Sequence, residues 1–254
     1  MEKKFILTDK FIISDSGAKL FQIECVKTFE YANAGDLGGY VEKEENLSQN
    51  GDAWICDNAW VSGNAQVSGN ALICDNVQVF GNAWICDNAK VCDNAKVSDD
   101  AWIYDDAWIC SNARVSGNAQ VYGSAQVYGN ARVSSNAQVA GSAWVYGNAQ
   151  VAGDAHVSGN ARVAGSAWIY SKGSILGNAY IDSNDKHCGF DCFGSENRHT
   201  HAYMTTDGEI EITCGCFLGN LKEFEKQVEE THRGTIYEKQ YKAIIEVIKV
   251  KFGL

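Results

Sequence analysis

From Ile55 to Ile181 an Ile or Val recurs at every sixth position, with no insertion or deletion. An Ala stands two residues before nearly every one of them, and the pair linking successive units is most often Gly-Asn, Asp-Asn or Gly-Ser. A period of six matches neither the turn of a helix nor the simple alternation of a half-buried strand. It marks a stacked repeat, and that constrains the fold before any local propensity does.

In the unit Ala53-Trp54-Ile55-Cys56-Asp57-Asn58, a short strand sends Ala53 and Ile55 inward and Trp54 and Cys56 outward. Asp57-Asn58 then turns the chain. Asn and Gly tolerate a left-handed backbone, and one of them stands at most of these corners. Three strands and three turns close a triangular coil, and the array gives about seven coils over roughly 35 Å. A coil of three six-residue units stacks Cys56, Cys74, Cys92 and Cys110 in one column, continued by Tyr128 and Tyr146 and flanked by Asp57, Asp75 and Asp93. It also sets Trp84 below Trp102, Arg114 below Arg132, and His156 between Gln138 and Ser174. Proline is absent, as a ladder that uses almost every backbone N–H requires.

The ends differ in kind. Residues 1–46 lack the period; Phe11-Ile12-Ile13 and Leu20-Phe21-Gln22-Ile23 read as short strands of an N-terminal cap, which an open coil end needs. Residues 47–182 form the array, irregular at its start because an eight-residue step leads from Leu47 to Ile55. In residues 183–254, His199–Tyr203 and Glu209–Cys214 read as a hairpin around Asp207-Gly208. Asn220 with Glu223 opens a helix that buries Leu221, Phe224 and Val228 and stops at Gly234. Thr235 with Glu238 opens a second, with Tyr237, Tyr241, Ile244, Ile245, Ile248 and Phe252 at helical spacing.

Net charge is −11 and no segment is basic, which argues against binding nucleic acid through its phosphates. Asp93, Asp99, Asp100, Asp105 and Asp106 read as solvated corners, with a carboxylate patch imitating a nucleic-acid backbone as the alternative. Five of the ten cysteines sit at repeat positions, so free thiols in a reducing cytoplasm are expected rather than a disulfide framework. The three-residue apolar stretch after Lys3-Lys4 is too short for a signal peptide, and no apolar run could span a bilayer.

The repeat spacing resembles that of the left-handed parallel β-helix of hexapeptide-repeat proteins. Two further blocks stand out beside the array: Gly35-Asp36-Leu37-Gly38-Gly39-Tyr40-Val41 with Asn46-Leu47-Ser48, and Gly194-Ser195-Glu196-Asn197 with Gly215-Cys216-Phe217 and Gly219. With these three blocks the whole chain resembles a family of hexapeptide-repeat proteins common in bacteriophages and prophages of Gram-positive hosts. The resemblance implies a mainly β chain: a left-handed parallel β-helix with a small N-terminal β cap and a C-terminal α+β domain. It also implies a phage-associated origin, and it ties no chemistry to named positions.

Acyltransferases of this architecture are usually trimers with sites between subunits, and their general base is typically a His. His156 is the one His of the array; it faces outward with no carboxylate beside it, and reads as a solvated surface residue rather than a base. The γ-carbonic anhydrases need three His ligands and are excluded. Thiols stacked along a ladder do not converge tetrahedrally on one ion, so the cysteine column reads as packing. Cys188, Cys192, Cys214 and Cys216, with His187, His199 and His201 nearby, are weak zinc candidates whose spacings match no zinc ribbon. No cofactor is expected. Trp84, Trp102, Arg114 and Arg132 on the array, and Gly194, Ser195, Glu196 and Asn197 beyond it, are the residues expected to face a partner or ligand. The expectation is a non-enzymatic solenoid that recognises a host protein or serves as a scaffold, as a trimer or dimer if it oligomerises. The alternatives are an acyl-CoA-dependent acyltransferase, and an inhibitor of host defence that mimics nucleic acid or holds a nucleotide-like molecule at the junction of the β-helix and the C-terminal domain near Gly194–Asn197.

Overall fold

The computed structural model describes residues 3–254. Its centre is a parallel β-solenoid made of strands β4 to β25, two residues each, one every six residues from Trp54–Ile55 to Tyr180–Ile181. Each strand pairs with the one eighteen residues on, as in Lys90↔Trp108 and Arg114↔Arg132. Three parallel sheets result, running the length of the array. The inward Ala and Val or Ile of each unit are fully buried and form one continuous core. A coil this narrow leaves room for a methyl at one inward position and a branched aliphatic at the next, which is why the sequence alternates them.

At the corners one half of the expectation holds and the other is corrected: Gly takes the left-handed conformation and Asn does not. The left-handed residue is the Gly, Asp or Ser that precedes Asn, with φ of 53° at Asp57, 62° at Asp93 and 60° at Ser111; Asn is not the left-handed member. Asn serves a different end: its side-chain amide donates to the residue one coil on, as Asn58 to Asn76 and Asn76 to Asn94. The corner Asp has its own task. Its carboxylate accepts the backbone N–H of the next coil's corner, from Asp93 N to Asp75, Ser111 N to Asp93 and Gly117 N to Asp99. An N–H that points along the solenoid axis thereby gains a partner.

The array's first end is closed by β1 (Phe5–Ile13), β2 (Lys19–Cys25) and β3 (Leu37–Val41), paired antiparallel and continuing one of the three sheets. Val41 pairs with Val61 and Leu47 bridges Val67, steps of twenty residues, so the first coil carries two extra residues as the Leu47–Ile55 spacing foretells. Phe5, Ile23 and Leu47 cover the exposed end of the core.

Beyond Ile181 the chain forms an antiparallel sheet of β26 (His187–Phe193), β27 (Arg198–Met204), β28 (Ile210–Cys214) and β29 (Phe217–Asn220). The hairpin of β27 and β28 is the expected one. The flanking β26 and β29 are additional, since a bulge at Phe190–Phe193 and a short Phe217-Leu218-Gly219-Asn220 run break the alternation that would mark them. Helices α1 (Leu221–His232) and α2 (Ile236–Phe252) pack on this sheet. The α1 capping box forms, with Asn220 accepting from Glu223 N and Glu223 accepting from Asn220 N. Phe224, Val228, Tyr241, Ile244, Ile245 and Ile248 are buried between helices and sheet, while Leu221, Tyr237 and Phe252 are only partly covered. The sheet docks on the last coil. Tyr203 enters the solenoid core fully buried, its hydroxyl accepting from Leu176 N, and Thr213 Oγ1 donates to the Ser174 carbonyl.

Candidate functional site

Where the C-terminal sheet meets the solenoid, a cleft of about 350 Å³ opens between the last coils and β26–β27. Trp168, Tyr170 and Ser171 come from the solenoid, Asn184, His187, Cys188 and Asp191 from the segment that leaves it, and His199 and His201 from β27. The antiparallel pairing of β26 and β27 sets Gly189 opposite His201, which lines up alternate side chains of the two strands on one face. The result is a chain of polar contacts. Ser171 Oγ donates to Asp191 Oδ2 at 2.6 Å, and Asp191 Oδ1 lies 2.6 Å from His199 Nδ1. His199 Nε2 is 3.1 Å from His201 Nδ1, and His201 Nε2 is 3.0 Å from His187 Nδ1. His187 Nε2 ends the chain 3.3 Å from Asn184 Oδ1.

Two glycines make the space. Gly173 stands at an inward position that is Ala in nearly every other unit, and a Cβ there would lie 2.8 Å from His201 Nδ1. A Cβ at Gly189 would lie 2.9 Å from His199 Cε1. Burial pushes His201 well below the ordinary imidazole range, and burial with the nearby Lys251 cation lowers His187 to about 4. The hydrogen bonds from Ser171 and His199 hold the Asp191 carboxyl below its usual value, so it is ionised near neutrality. The three imidazoles form a line and use opposite nitrogens of His201, so they do not converge on one ion.

Among the described residues, the sets whose ligand atoms lie mutually within 4.8 Å are Cys56, Asp57 and Cys74, and Cys92, Asp93 and Cys110. The cysteine column thus breaks into two pairs, each with one corner carboxylate, and the Cys56 thiol is raised and the Cys74 thiol lowered by the hydrogen bond between them. Cys188, Cys192, Cys214 and Cys216 form no such set. Cys214 is buried against the Tyr241 hydroxyl, Cys188 lines the cleft, and Cys192 and Cys216 are exposed. Gly194, Ser195, Glu196 and Asn197 form the β26–β27 turn, with Gly194 N donating to Gln240 Oε1 on α2; none lines the cleft. His156 stacks between Gln138 and Ser174, half-buried, with its Nε2 unpartnered. Arg114 and Arg132 are exposed neighbours on one face. Trp84 and Trp102 meet edge to face at 5.4 Å on another, and Tyr104 and Tyr122, stacked at 4.9 Å, extend them around the corner. The acidic corners are engaged: Asp99 and Asp105 accept Gly117 N and Gly123 N, and Asp100 and Asp106 accept from Asn82 and Asn88.

The histidine chain was not legible as a site from the sequence, where three His near four Cys suggest zinc first. One signal was present: the Ala that becomes Gly at position 173.

A family profile described as the YdcK beta solenoid repeat matches residues 125–141 and 155–171, which lie within the array. No curated protein matches the chain. With the strand pattern above, this makes the chain a β-solenoid repeat protein. Among the described residues, no helix is long and apolar enough to cross a membrane.

Proposed function

We propose that this chain is a recognition scaffold of the left-handed hexapeptide-repeat type found in phages and prophages. It acts in the host cytoplasm by binding a host protein along one face of the solenoid, without catalysis by the array. The observation that carries this reading is the aromatic strip of Trp84, Trp102, Tyr104 and Tyr122. Two indoles 40% and 43% exposed are kept on adjacent coils of a ladder that accepts Gln at the same position in other coils. Nothing in the coil's own packing requires them there, and clustered exposed aromatics are the usual anchors of protein interfaces. The outward His156 has no partner to orient or activate it, and so lends no support to acyl transfer.

The test is affinity capture from host lysate with the intact protein and with Trp84→Ala/Trp102→Ala. Loss of about 2 kcal/mol per anchor would weaken a genuine partner by at least tenfold while the circular dichroism stays unchanged. A strictly monomeric protein that retains the same species with and without both indoles overturns the reading.

A further inference from the structure

Hydrogen-bond logic fixes the number of protons on the histidine chain. At one end Asn184 Oδ1 accepts the Trp168 backbone N–H at 2.8 Å, which identifies that atom as the oxygen, so His187 Nε2 must donate to it. At the other end the ionised Asp191 carboxylate accepts the Ser171 hydroxyl on Oδ2, so His199 Nδ1 must donate to Oδ1. Each of the two links between rings holds one further proton. The three imidazoles therefore carry four N–H protons where three neutral rings would carry three, and the extra charge is balanced by Asp191.

We propose that His199, His201 and His187 form a proton relay that stores one excess proton and delivers it to a phosphate monoester bound in the cleft. Inside the relay, His199 passes its Nε2 proton to His201 Nδ1, and His201 passes its Nε2 proton to His187 Nδ1. His187, then protonated on both nitrogens, gives its Nε2 proton to a phosphate oxygen. Each link between rings keeps one proton with its direction reversed, the rings end neutral, and the phosphate dianion becomes a monoanion. The exit lies at His187 because its bond to Asn184 is the longest of the chain at 3.3 Å, and that oxygen already has the Trp168 N–H. Lys251, donating to the Asn184 carbonyl at 3.1 Å, adds positive charge at this end.

Phosphate fits for a further reason. Its second pKa of about 6 lies above the value of about 4 to which burial holds His187, so a proton that reaches His187 moves on to the phosphate dianion, whereas a carboxylate near 4 would draw it no more strongly than the ring does. Trp168 and Tyr170, 51% and 63% exposed on the cleft wall, offer flat faces to the rest of such a molecule. The other groups facing the relay are Lys172 near Asp191, Asp185 beside Lys251, the Cys188 thiol and the Tyr203 ring against His201. Burial resists charge on His201 and His187, which draws the stored proton toward Asp191 while the cleft is empty.

The test is 15N NMR of the full chain labelled at histidine, with His156→Gln and His232→Gln assigning the two rings outside the relay. Four protonated and two unprotonated nitrogens are expected among the six of the relay at pH 7, falling to three protonated in Asp191→Asn. Inorganic phosphate at millimolar concentration should lower the wild-type count to three and move the 31P resonance of the bound ion toward the monoanion. Sulfate, which takes no proton at this pH, should leave the count at four. Three protonated nitrogens before any addition, no response to phosphate, or an equal response to sulfate would each overturn the proposal. So would stoichiometric zinc in the purified protein whose chelation shifts these resonances. The wild-type count decides the matter even if Asp191→Asn fails to fold.

Discussion

At the residue scale the solenoid is governed by what a corner and an inward position can hold. Asp93 adopts a left-handed φ and accepts the Ser111 N–H at 2.8 Å. Asp93→Ala removes the acceptor and puts a less tolerant side chain in a left-handed backbone, so a loss of about 1–2 kcal/mol is expected. Asp93→Gly loses the hydrogen bond but relieves the strain, and should cost less; urea midpoints of the two variants separate the contributions. Gly173 is the complementary case. Gly173→Ala restores the repeat's preferred residue yet drives a methyl into His201, and should destabilise by about 1–3 kcal/mol. The same change at a position free of such a neighbour would be neutral or favourable, so denaturation of Gly173→Ala tests whether His201 sits where the structure has it.

At the scale of elements, the C-terminal unit is held by helix caps and by buried titratable groups. Asn220→Ala breaks the α1 capping box and should cost about 1 kcal/mol, seen as lowered hydrogen-exchange protection confined to α1 and its sheet contacts. The pH dependence has a definite sign. His187 is held at about 4 when folded, whereas in the unfolded chain it titrates near 6.5. Between those values the unfolded state binds more protons, so stability falls as pH drops from about 6.5 to about 4, by roughly 3 kcal/mol from this residue. His201 acts in the same direction. Denaturant midpoints at pH 7 and at pH 4.5 should show the loss, and His187→Gln should reduce it. This resistance concerns protons added beyond the one that Asp191 balances.

At the scale of the whole molecule, stability should add up coil by coil. Deleting residues 119–136, one complete coil, leaves every stacked column and both end caps in register; the variant should fold, with a lower unfolding midpoint. Deleting only 119–123 shifts each inward residue after the cut to the outside and should abolish cooperative unfolding, as monitored by circular dichroism. The profile match to a β-solenoid repeat covers only part of the array, yet the ladder beyond it is continuous from Trp54 to Ile181.

The repeat itself was legible because it is local and redundant. Each unit encodes one strand and one corner, and the eighteen-residue step that places Trp84 on Trp102 and Tyr128 on Tyr146 follows from counting. The helix caps at Asn220 and Thr235 were legible for the same reason, being contacts within a few residues. At the corners Gly takes the left-handed conformation as expected, but Asn does not; where no Gly stands, Asp most often holds the position and accepts an N–H a full coil away, a contact between coils rather than within one. Of the cleft, the sequence showed only the junction as a candidate place and the Gly in place of Ala at position 173, not the residues that line it. The cleft joins Ser171, at a late corner of the array, and Asn184, just beyond it, to His199 and His201 on a strand whose docking depends on Tyr203 filling the last coil. By itself, then, the sequence determined the solenoid, its period and its columns, because those rest on interactions that repeat at fixed spacing. Only the tertiary structure decided how the non-repeating end folds back, and with it the alignment of three imidazoles between Asp191 and Asn184, because that alignment depends on long-range packing that no period encodes.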